Sequence, residues 1–306
     1  MSGLSLPSSS SNQTYVTISP ISGGFLTLPD STFVNPADSN AKRYVPSLSF
    51  LVIHPGNNST GHSFRLLFDL GLRHRVTNYS EPQQKHLESR SPYDSQPGVA
   101  SILEKHGVSK EDIDMIIYSH IHYDHHGDPE DFSNAHFRVG SGSLDVLANG
   151  FLVGMGTHQH FDPNLLPTER TKEFPPVTDD HDGEWKSVGP FPHVFDLMED
   201  GSIYVLDTPG HLPGHINLLC RIWEDKWVCL CGDAFHDLRL LSGEKEMGMW
   251  MSDEGRELCI HVDKNAAEES IKRLRELQNM GNVELSAAHD EVWCDKNQHR
   301  FFPHHL

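Results

Sequence analysis

The segment "YSHIHYDHHGD", residues 118–128, carries four histidines and two aspartates in eleven positions. Neutral imidazole and carboxylate are suitable zinc ligands. His120 and His122 alternate, so on an extended backbone both side chains can point at one ion. Asp124 and His125 follow beyond the expected turn and can reach a second ion nearby. The spacing H-x-H-x-D-H therefore predicts a metal site, with a solvated polar turn as the alternative in a chain that has 22 histidines.

This segment follows directly on a predicted strand, the apolar run "IDMIIYSH" at residues 113–120. Upstream of it, "PGVASILEKH" at 97–106 is typical of a helix, and Gly107 behind it is a typical helix end. Farther upstream, residues 47–55 and 63–71 are short apolar runs separated by "GNNSTGH". That pattern predicts a β-hairpin whose turn is supplied by glycine and asparagine.

Strands that end in a metal-capable residue recur along the chain. Residues 201–211 and 216–235 predict three further strands, and residues 265–280 predict an amphipathic helix. "VELSAAHD" then follows as another strand. Sheets with helices outside often carry their chemistry at strand ends and in the loops that follow. The strand ends that bear metal-capable residues are Asp69, His120, Asp233 and His289.

Net charge and cysteine content limit the classes of partner and compartment. The chain of 306 residues has a net charge of −19, whereas nucleic acids and anionic membranes are bound by clustered lysine and arginine. We therefore expect a small-molecule substrate, no nucleic acid and no membrane. The five cysteines show no C-x-x-C spacing, and neither a transmembrane run nor a secretory signal pattern is found. These features predict a cytoplasmic protein with reduced thiols.

H-x-H-x-D-H after an apolar strand resembles the metal-binding signature of the metallo-β-lactamase superfamily. Four other segments resemble the remaining motifs of that family, in the same order, so that the matches cover about residues 47–290. They are "FDLG" through Asp69, "TPGHLPGH" at 208–215 through its second histidine, His215, "CGDAF" at 231–235 through Asp233, and "SAAHD" at 286–290 through His289. In the family, the aspartate of the first motif supports the metal loop and does not bind metal.

The resemblance implies an α/β fold, the four-layer αββα sandwich, and a centre of two Zn²⁺, with other divalent metals allowed. The ligands that it implies are His120, His122 and His215 for one ion, Asp124, His125 and His289 for the other, and Asp233 as the bridge between them. Such a pair lowers the pKa of a shared water enough to leave hydroxide near neutral pH, and that hydroxide attacks a carbonyl carbon.

Within the family, "TPGHxPGH" together with "GDA" is most similar to N-acyl-homoserine lactonases and to their fungal lactonase and lactamase relatives. Those lactonases carry a tyrosine three residues after the bridging aspartate, where it hydrogen-bonds the substrate carbonyl, but this chain has His236 there. We expect Asp124 and His236 to be catalytic, with His236 as hydrogen-bond donor or proton shuttle. An exposed loop histidine is the alternative reading of His236. The residues expected to contact substrate are Phe235, His236 and Trp250.

The predicted function is hydrolytic opening of a small cyclic ester (a lactone) or cyclic amide (a γ-lactam or cyclic carbamate). A glyoxalase-II-like thioester hydrolase is the alternative enzyme, although only Lys296 and Arg300 supply the basic residues that such enzymes carry near the C-terminus. We predict one domain over residues 1–306, with a flexible lead-in at 1–15 and a lid or substrate insertion at 129–194. Formation of a homodimer is left open.

Overall fold

Two six-stranded β-sheets pack face to face in the computed structural model, which describes residues 5–56, 63–150, 160–178, 183–252 and 254–306. In chain order the strands are β1 (Thr17–Pro29), β2 (Val34–Asn35), β3 (Lys42–His54), β4 (Phe64–Phe68), β5 (Met115–Ile117), β6 (His136–Val139), β7 (Thr171–Glu173), β8 (Lys186–Val188), β9 (Phe191–Asp196), β10 (Ile203–Asp207), β11 (Ile216–Trp223), β12 (Lys226–Leu230), β13 (Glu246–Met247), β14 (Met249–Met251), β15 (Glu257–Cys259) and β16 (Val283–Ser286).

Helices lie outside these sheets and in the connections. They are α1 (Asp30–Phe33), α2 (Glu81–Glu88), α3 (Val99–Lys105), α4 (Ser143–Asn149), α5 (Leu238–Ser242), α6 (Lys264–Gln278) and α7 (Glu291–Asn297). Single 3-10 turns occur at Val76–Asn78, Lys110–Asp112, Pro129–Asp131, Thr168–Arg170 and Gln298–Arg300. Among the described residues, no helix combines the length and the apolarity needed to cross a bilayer.

Both large sheets mix antiparallel and parallel pairing. The first has the order β1-β3-β4-β5-β6-β7, antiparallel up to β4 and parallel from β4 onward. The second has the order β16-β12-β11-β10-β9-β8, and only β16 and β12 are parallel. Because the carboxyl ends of parallel neighbours meet at one edge, the loops after β4 and β5 lie together, as do those after β12 and β16.

The apolar side chains form three cores that define four layers. The central core lies between the sheets and includes Ile18, Phe50, Phe68, Val205, Leu218 and Val228. The outer face of the first sheet packs against α3 and α4 through residues such as Leu67, Phe137, Leu103 and Val146. The outer face of the second sheet packs against α6 through Leu206, Leu219, Ile271, Leu274 and Leu277. The predicted αββα sandwich is thereby confirmed.

The elements predicted around the metal motif are also confirmed. The β3–β4 pair is the expected antiparallel hairpin, and the turn joining its strands lies largely outside the described residues. The helix predicted at 97–106 is α3, and Gly107 behind it has φ 83°. The amphipathic helix predicted at 265–280 is α6, where the Asp263 carboxylate accepts a hydrogen bond from the Ala266 amide and so caps the first turn.

Much of the segment 129–194 belongs to the sheets. β6 and β7 extend the first sheet, and β8 and β9 form the far edge of the second. Residues 151–159 and 179–182 of this segment lie outside the described residues. These four strands are therefore part of the scaffold of the fold. A lid role for the rest of the segment stays a prediction.

Candidate metal centre

The loop after β5 is held in place by a buried carboxylate on the neighbouring strand. Asp69 follows β4 with φ 58°, and its carboxylate accepts hydrogen bonds from the Ser119 amide and hydroxyl, both at 2.7 Å. The same carboxylate lies 2.9 Å from His125 Nδ1. Ser119 Oγ lies 3.0 Å from His120 Nδ1. Asp69 thus orients two histidines without reaching the centre, which is the supporting role that the sequence predicts for it.

One group of metal-capable atoms gathers on the β5 side of the centre. His122 Nδ1 lies 2.8 Å from His120 Nε2 and 3.0 Å from His211 Nε2. Asp233 Oδ2 lies 3.4 Å from His211 Nε2 and 3.7 Å from His120 Nε2. Four buried residues therefore offer donor atoms to a single point: His120, His122, His211 and Asp233.

His211 takes the place that the sequence prediction assigns to His215. Both ring nitrogens of His215 have protein partners, because Nδ1 lies 3.0 Å from the Thr208 carbonyl oxygen and Nε2 accepts from the Asp233 amide at 3.1 Å. Burial lowers the pKa of His215 to about 4, so its ring stays neutral and can accept that hydrogen bond. The assignment of His215 as a ligand is corrected to His211, the first histidine of "TPGHLPGH". His215 instead holds the backbone of Asp233.

A second group lies beside the first and shares Asp233 with it. The group consists of Asp124, His125 and His289. His289 Nε2 lies 3.6 Å from Asp124 Oδ2 and 3.4 Å from Asp233 Oδ1, and His125 Nε2 lies 3.3 Å from Asp233 Oδ2. His289 Nδ1 is fixed at 2.7 Å from the Pro46 carbonyl oxygen. Asp233 is in reach of both groups, as expected of a bridging carboxylate.

The chemistry of these donors fits a pair of divalent ions. His125 Nε2 and Asp233 Oδ1 are buried without a hydrogen-bond partner, whereas buried polar atoms are normally paired. Burial lowers the pKa of His120 and of His122, which keeps both rings in the neutral form that binds metal. Burial opposes protonation of His125 as well, but the carboxylates of Asp233 and Asp69 outweigh it and raise its pKa. Five imidazoles and two carboxylates form a donor set of the kind that Zn²⁺ takes.

A small cavity of about 40 Å³ lies directly against this centre. Besides five of the metal-capable residues, its lining consists of Leu28, Phe33, His86, Arg90, Tyr123, His236 and Ile260. His236 is buried, with Nε2 at 3.0 Å from Asp233 Oδ2 and its ring 4.5 Å from that of Phe33. The alternative of an exposed loop histidine is therefore wrong for His236.

The other two residues predicted to contact substrate are placed differently. Phe235 is buried and lines a neighbouring cavity of about 360 Å³, which shares His236 with the small one. Trp250 lies on β14, in a two-stranded sheet with β15, and is not part of the lining described for either cavity. Trp250 follows the bridging aspartate in the sequence, but this order in the chain does not bring its side chain to the lining of the metal cavity.

Sequence reasoning missed two kinds of residue at this site. His261 is buried with its ring 5.1 Å from that of His211 and 5.5 Å from that of His236, yet it stands in no recognisable motif. Arg90 reaches the cavity from the chain after α2, about thirty residues before the metal motif. Neither could have been found from local spacing, because tertiary packing alone brings them to the centre.

Comparison with known proteins agrees with the geometry. The family model described as the Metallo-beta-lactamase superfamily matches residues 79–289. The chain belongs to the metallo-β-lactamase superfamily. Its histidine and aspartate cluster is therefore the metal-binding region of a metallo-hydrolase family, and the chain is an enzyme of that class.

Two curated relatives are fungal. Gamma-lactamase MBL2 of Gibberella moniliformis is 31% identical over 191 residues, which is 56% of this chain and 70% of that protein. Gamma-lactamase FDB1 of Fusarium pseudograminearum is 31% identical over 215 residues, which is 68% of this chain and 50% of that protein. The chain thus spans about half the length of the second relative.

A solved structure supports the fold. An N-acyl homoserine lactone hydrolase, with the product N-hexanoyl-L-homoserine bound at its catalytic metal center, superposes with a TM-score of 0.68. The alignment covers 96% of this chain and 100% of that one at 19% sequence identity. At this identity the likeness shows a shared architecture.

Proposed function

We propose that this protein is a dinuclear metal hydrolase that opens a small cyclic amide or cyclic ester. The observation that carries the proposal is the pair of adjacent donor groups, His120–His122–His211 and Asp124–His125–His289, with Asp233 within 3.7 Å of both. The γ-lactamase names of the fungal relatives favour a five-membered cyclic amide as the first substrate to test, with the matching lactone beside it.

When bound, two Zn²⁺ ions supply a water acidic enough to act as nucleophile near neutral pH, and they polarise the carbonyl that it attacks. The two groups of three would each hold one ion, and Asp233 would hold both. Asp69, Thr208 and Pro46 set the orientation of the ligand rings or of the loop that carries them. Such partners keep the donor atoms aimed at the ions.

His236 is the residue we assign to proton transfer or hydrogen bonding at the substrate. It lines the cavity, and Asp233 Oδ2 fixes its Nε2 at 3.0 Å. Its backbone carbonyl accepts a hydrogen bond from Arg43, and Arg43 is in turn paired with Asp30 and Glu291. The ring is thus fixed at Nε2 and its backbone at the carbonyl, whereas Nδ1 has no partner among the residues that the structure describes and is the ring nitrogen left to exchange a proton with substrate.

The C-terminal stretch argues against the thioester alternative. Arg300, one of the two basic residues that could serve a glutathione moiety, makes a two-pronged ion pair with Glu284 at 2.8 and 3.0 Å. That guanidinium is therefore already engaged.

The test is a substrate panel run on the metal-loaded enzyme and on the same enzyme after chelation. We expect turnover of γ-lactams or γ-lactones, loss of it with chelator, and return of it when Zn²⁺ is added back. Turnover of S-lactoylglutathione without turnover of either ring class would overturn the proposal in favour of the thioesterase. Ring opening that survives removal of all metal would overturn the metal-dependent mechanism.

A further inference from the structure

Arg90 stands at the wall of the metal cavity with its backbone firmly held. Its amide donates to the Leu87 carbonyl at the end of α2, and its carbonyl accepts from the Thr27 amide of β1, both at 2.9 Å. Residues 92–94 continue this attachment, because Thr27 Oγ1 donates to the Pro92 carbonyl and Asp94 pairs with Phe25 through both backbone groups. The side chain therefore reaches the cavity from a rigid edge, not from a loose loop.

The Arg90 guanidinium combines a place at the metal cavity with a buried Nε that has no hydrogen-bond partner in the described structure. Arg43, Arg73, Arg75, Arg239 and Arg300 each form an ion pair with aspartate or glutamate. Among the described residues no carboxylate forms an ion pair with Arg90, and its Nε is buried without a hydrogen-bond partner. Because Arg90 lines the metal cavity and its buried Nε has no partner in the described part of the chain, its guanidinium can receive an anionic group that enters the cavity from outside.

The surroundings of Arg90 suit a ring that carries one charged group. Leu28, Phe33 and Ile260 give the cavity an apolar side, and the metal-capable residues form its floor. The guanidinium makes a side-chain hydrogen bond with Tyr123, and its charge acts on His86 nearby. A planar guanidinium matches a carboxylate through two parallel hydrogen bonds, which gives orientation as well as affinity.

We propose that Arg90 binds a carboxylate that the substrate carries in addition to the cyclic amide or ester that is opened. This inference rests on the proposed function and narrows its substrate class to anionic rings. The apolar side of the cavity contacts the ring, Arg90 fixes the pendant carboxylate, and the scissile carbonyl is thereby directed to the metal centre.

The test compares substrates that differ only in that charge. The probes are 5-oxopyrrolidine-2-carboxylate and 5-oxotetrahydrofuran-2-carboxylate, their 3-carboxylate isomers, and the neutral carboxamide of each. The wild-type enzyme should prefer at least one carboxylate over its carboxamide by tenfold or more in kcat/KM. Arg90→Met should lower kcat/KM on that carboxylate ten- to hundredfold, chiefly through KM, and change the carboxamide less than threefold. Arg90→Lys should fall between the two, since it keeps the charge and loses the fork.

The matched control is Arg65→Met. Arg65 is also half-buried, and its Nε also lacks a hydrogen-bond partner, but it lies at the far end of β4 from Asp69. The Arg65→Met substitution should leave the preference of the enzyme for the carboxylate over the carboxamide unchanged. An equal loss on both members of a pair in Arg90→Met would place Arg90 at the scissile carbonyl or in a purely structural role, and would overturn the inference. A wild-type enzyme without preference for any carboxylate would do the same.

A binding measurement separates this inference from the proposed function. Cyclopentanecarboxylate and cyclopentanecarboxamide have no bond to hydrolyse, and their affinities for the metal-loaded protein can be measured by calorimetry. The carboxylate should bind more tightly to wild type, and Arg90→Met should weaken it at least tenfold without changing the carboxamide. If no ring is opened but this difference is found, the proposed reaction fails while the anion site stands. If rings are opened and the difference is missing, the anion site fails alone.

Discussion

At the residue scale, the two histidines of "TPGHLPGH" make a direct test of the metal centre. His211→Ala removes a donor atom that lies within 3.4 Å of both His122 and Asp233, so bound metal should fall from about two ions per chain toward one. His215→Ala removes the partner of the Asp233 amide and of the Thr208 carbonyl but no member of either donor group, and a loss of about 10–100-fold in metal affinity is expected for such a supporting residue. Elemental analysis after dialysis at a series of free Zn²⁺ concentrations distinguishes the two. The reverse order of effects would restore His215 as the ligand.

His236 gives a second test at this scale. His236→Phe keeps an aromatic ring against Phe33 but cannot donate or move a proton, so kcat should fall by about 10²-fold or more if the ring acts in proton transfer. Metal content should remain near that of wild type, because His236 belongs to neither of the two donor groups that share Asp233. Steady-state kinetics and metal analysis on the same preparation check both points. Unchanged turnover on the best substrate would show that the role assigned to His236 is wrong.

What the sequence could predict at the residue scale depends on how local each signal is. The run H-x-H-x-D-H was sufficient for His120, His122, Asp124 and His125, since all four stand on one loop. The choice between His211 and His215 was not predictable from spacing, because both belong to one motif and only the path of the β10–β11 connection turns one of them inward. Arg90 was out of reach of any local pattern.

At the element scale, the turn that ends β12 is expected to tolerate no side chain at Gly232. Its φ of 47° disfavours other residues, and a Cβ there would stand 2.5 Å from Ser119 Cβ and 3.1 Å from His215 Nε2. Gly232→Ala should therefore lower the free energy of unfolding by about 3 kcal/mol or more, as backbone strain and steric overlap combine. Gly281→Ala is the control, because φ is 82° but nothing lies within 4 Å of the new Cβ, so about 1 kcal/mol is expected. Urea unfolding measures both, and equal losses would contradict the steric explanation.

A buried carboxyl group at the end of β10 makes the free energy of unfolding depend on pH. Burial raises the pKa of Asp207 to about 6, even though the charges of His193 and Arg273 oppose the rise. The folded state then holds this proton more tightly than the unfolded chain, so the contribution of Asp207 to stability is greatest below pH 4 and is lost as the pH rises through about 6. Asp207→Asn should be more stable than wild type by about 1–3 kcal/mol at pH 7–8, and the difference should shrink toward pH 4.

The measurement is the difference in unfolding free energy between variant and wild type at each pH, so that effects common to both proteins cancel. Asp295→Asn, which removes an exposed carboxylate on α7, serves as the control for the loss of one negative charge. A constant gain at every pH for Asp207→Asn would mean that titration of this carboxyl is not the cause.

Element prediction failed where strands were short. β7 and β8 have three residues each, too few for an alternating pattern to stand out from the polar sequence around them. The sequence of segment 129–194 therefore does not show that β6 to β9 widen both sheets. By contrast, β3 and α6 are long enough for their periodicity to be read without tertiary information.

At the scale of the whole molecule, the site is built where the two sheets meet. The segments that carry its ligands follow β5 of the first sheet and β10, β12 and β16 of the second. The sequence indicated strands ending in metal-capable residues, but not which strands are neighbours. β12 and β16 are parallel neighbours in the sheet, although α5 and α6 lie between them in the chain. An alternating pattern within each strand does not specify such a pairing. The order of the five motifs therefore predicts the fold, whereas the pairing of the strands does not follow from the sequence pattern.

Metal removal is the prediction that tests the molecule as a unit. The buried histidines and aspartates of the two donor groups come from segments that follow strands of both sheets. Ions bound between them would therefore link the two sheets. An ion present at about a thousandfold over its Kd stabilises the folded state by about 4 kcal/mol. Chelation should therefore lower Tm by about 10 °C or more, and Zn²⁺ should restore it. Because His211→Ala is expected to keep the second ion, its Tm should respond to chelation about half as strongly. Loss of both ions from the wild type, verified by elemental analysis, with Tm unchanged would show that the centre does not couple metal binding to the fold.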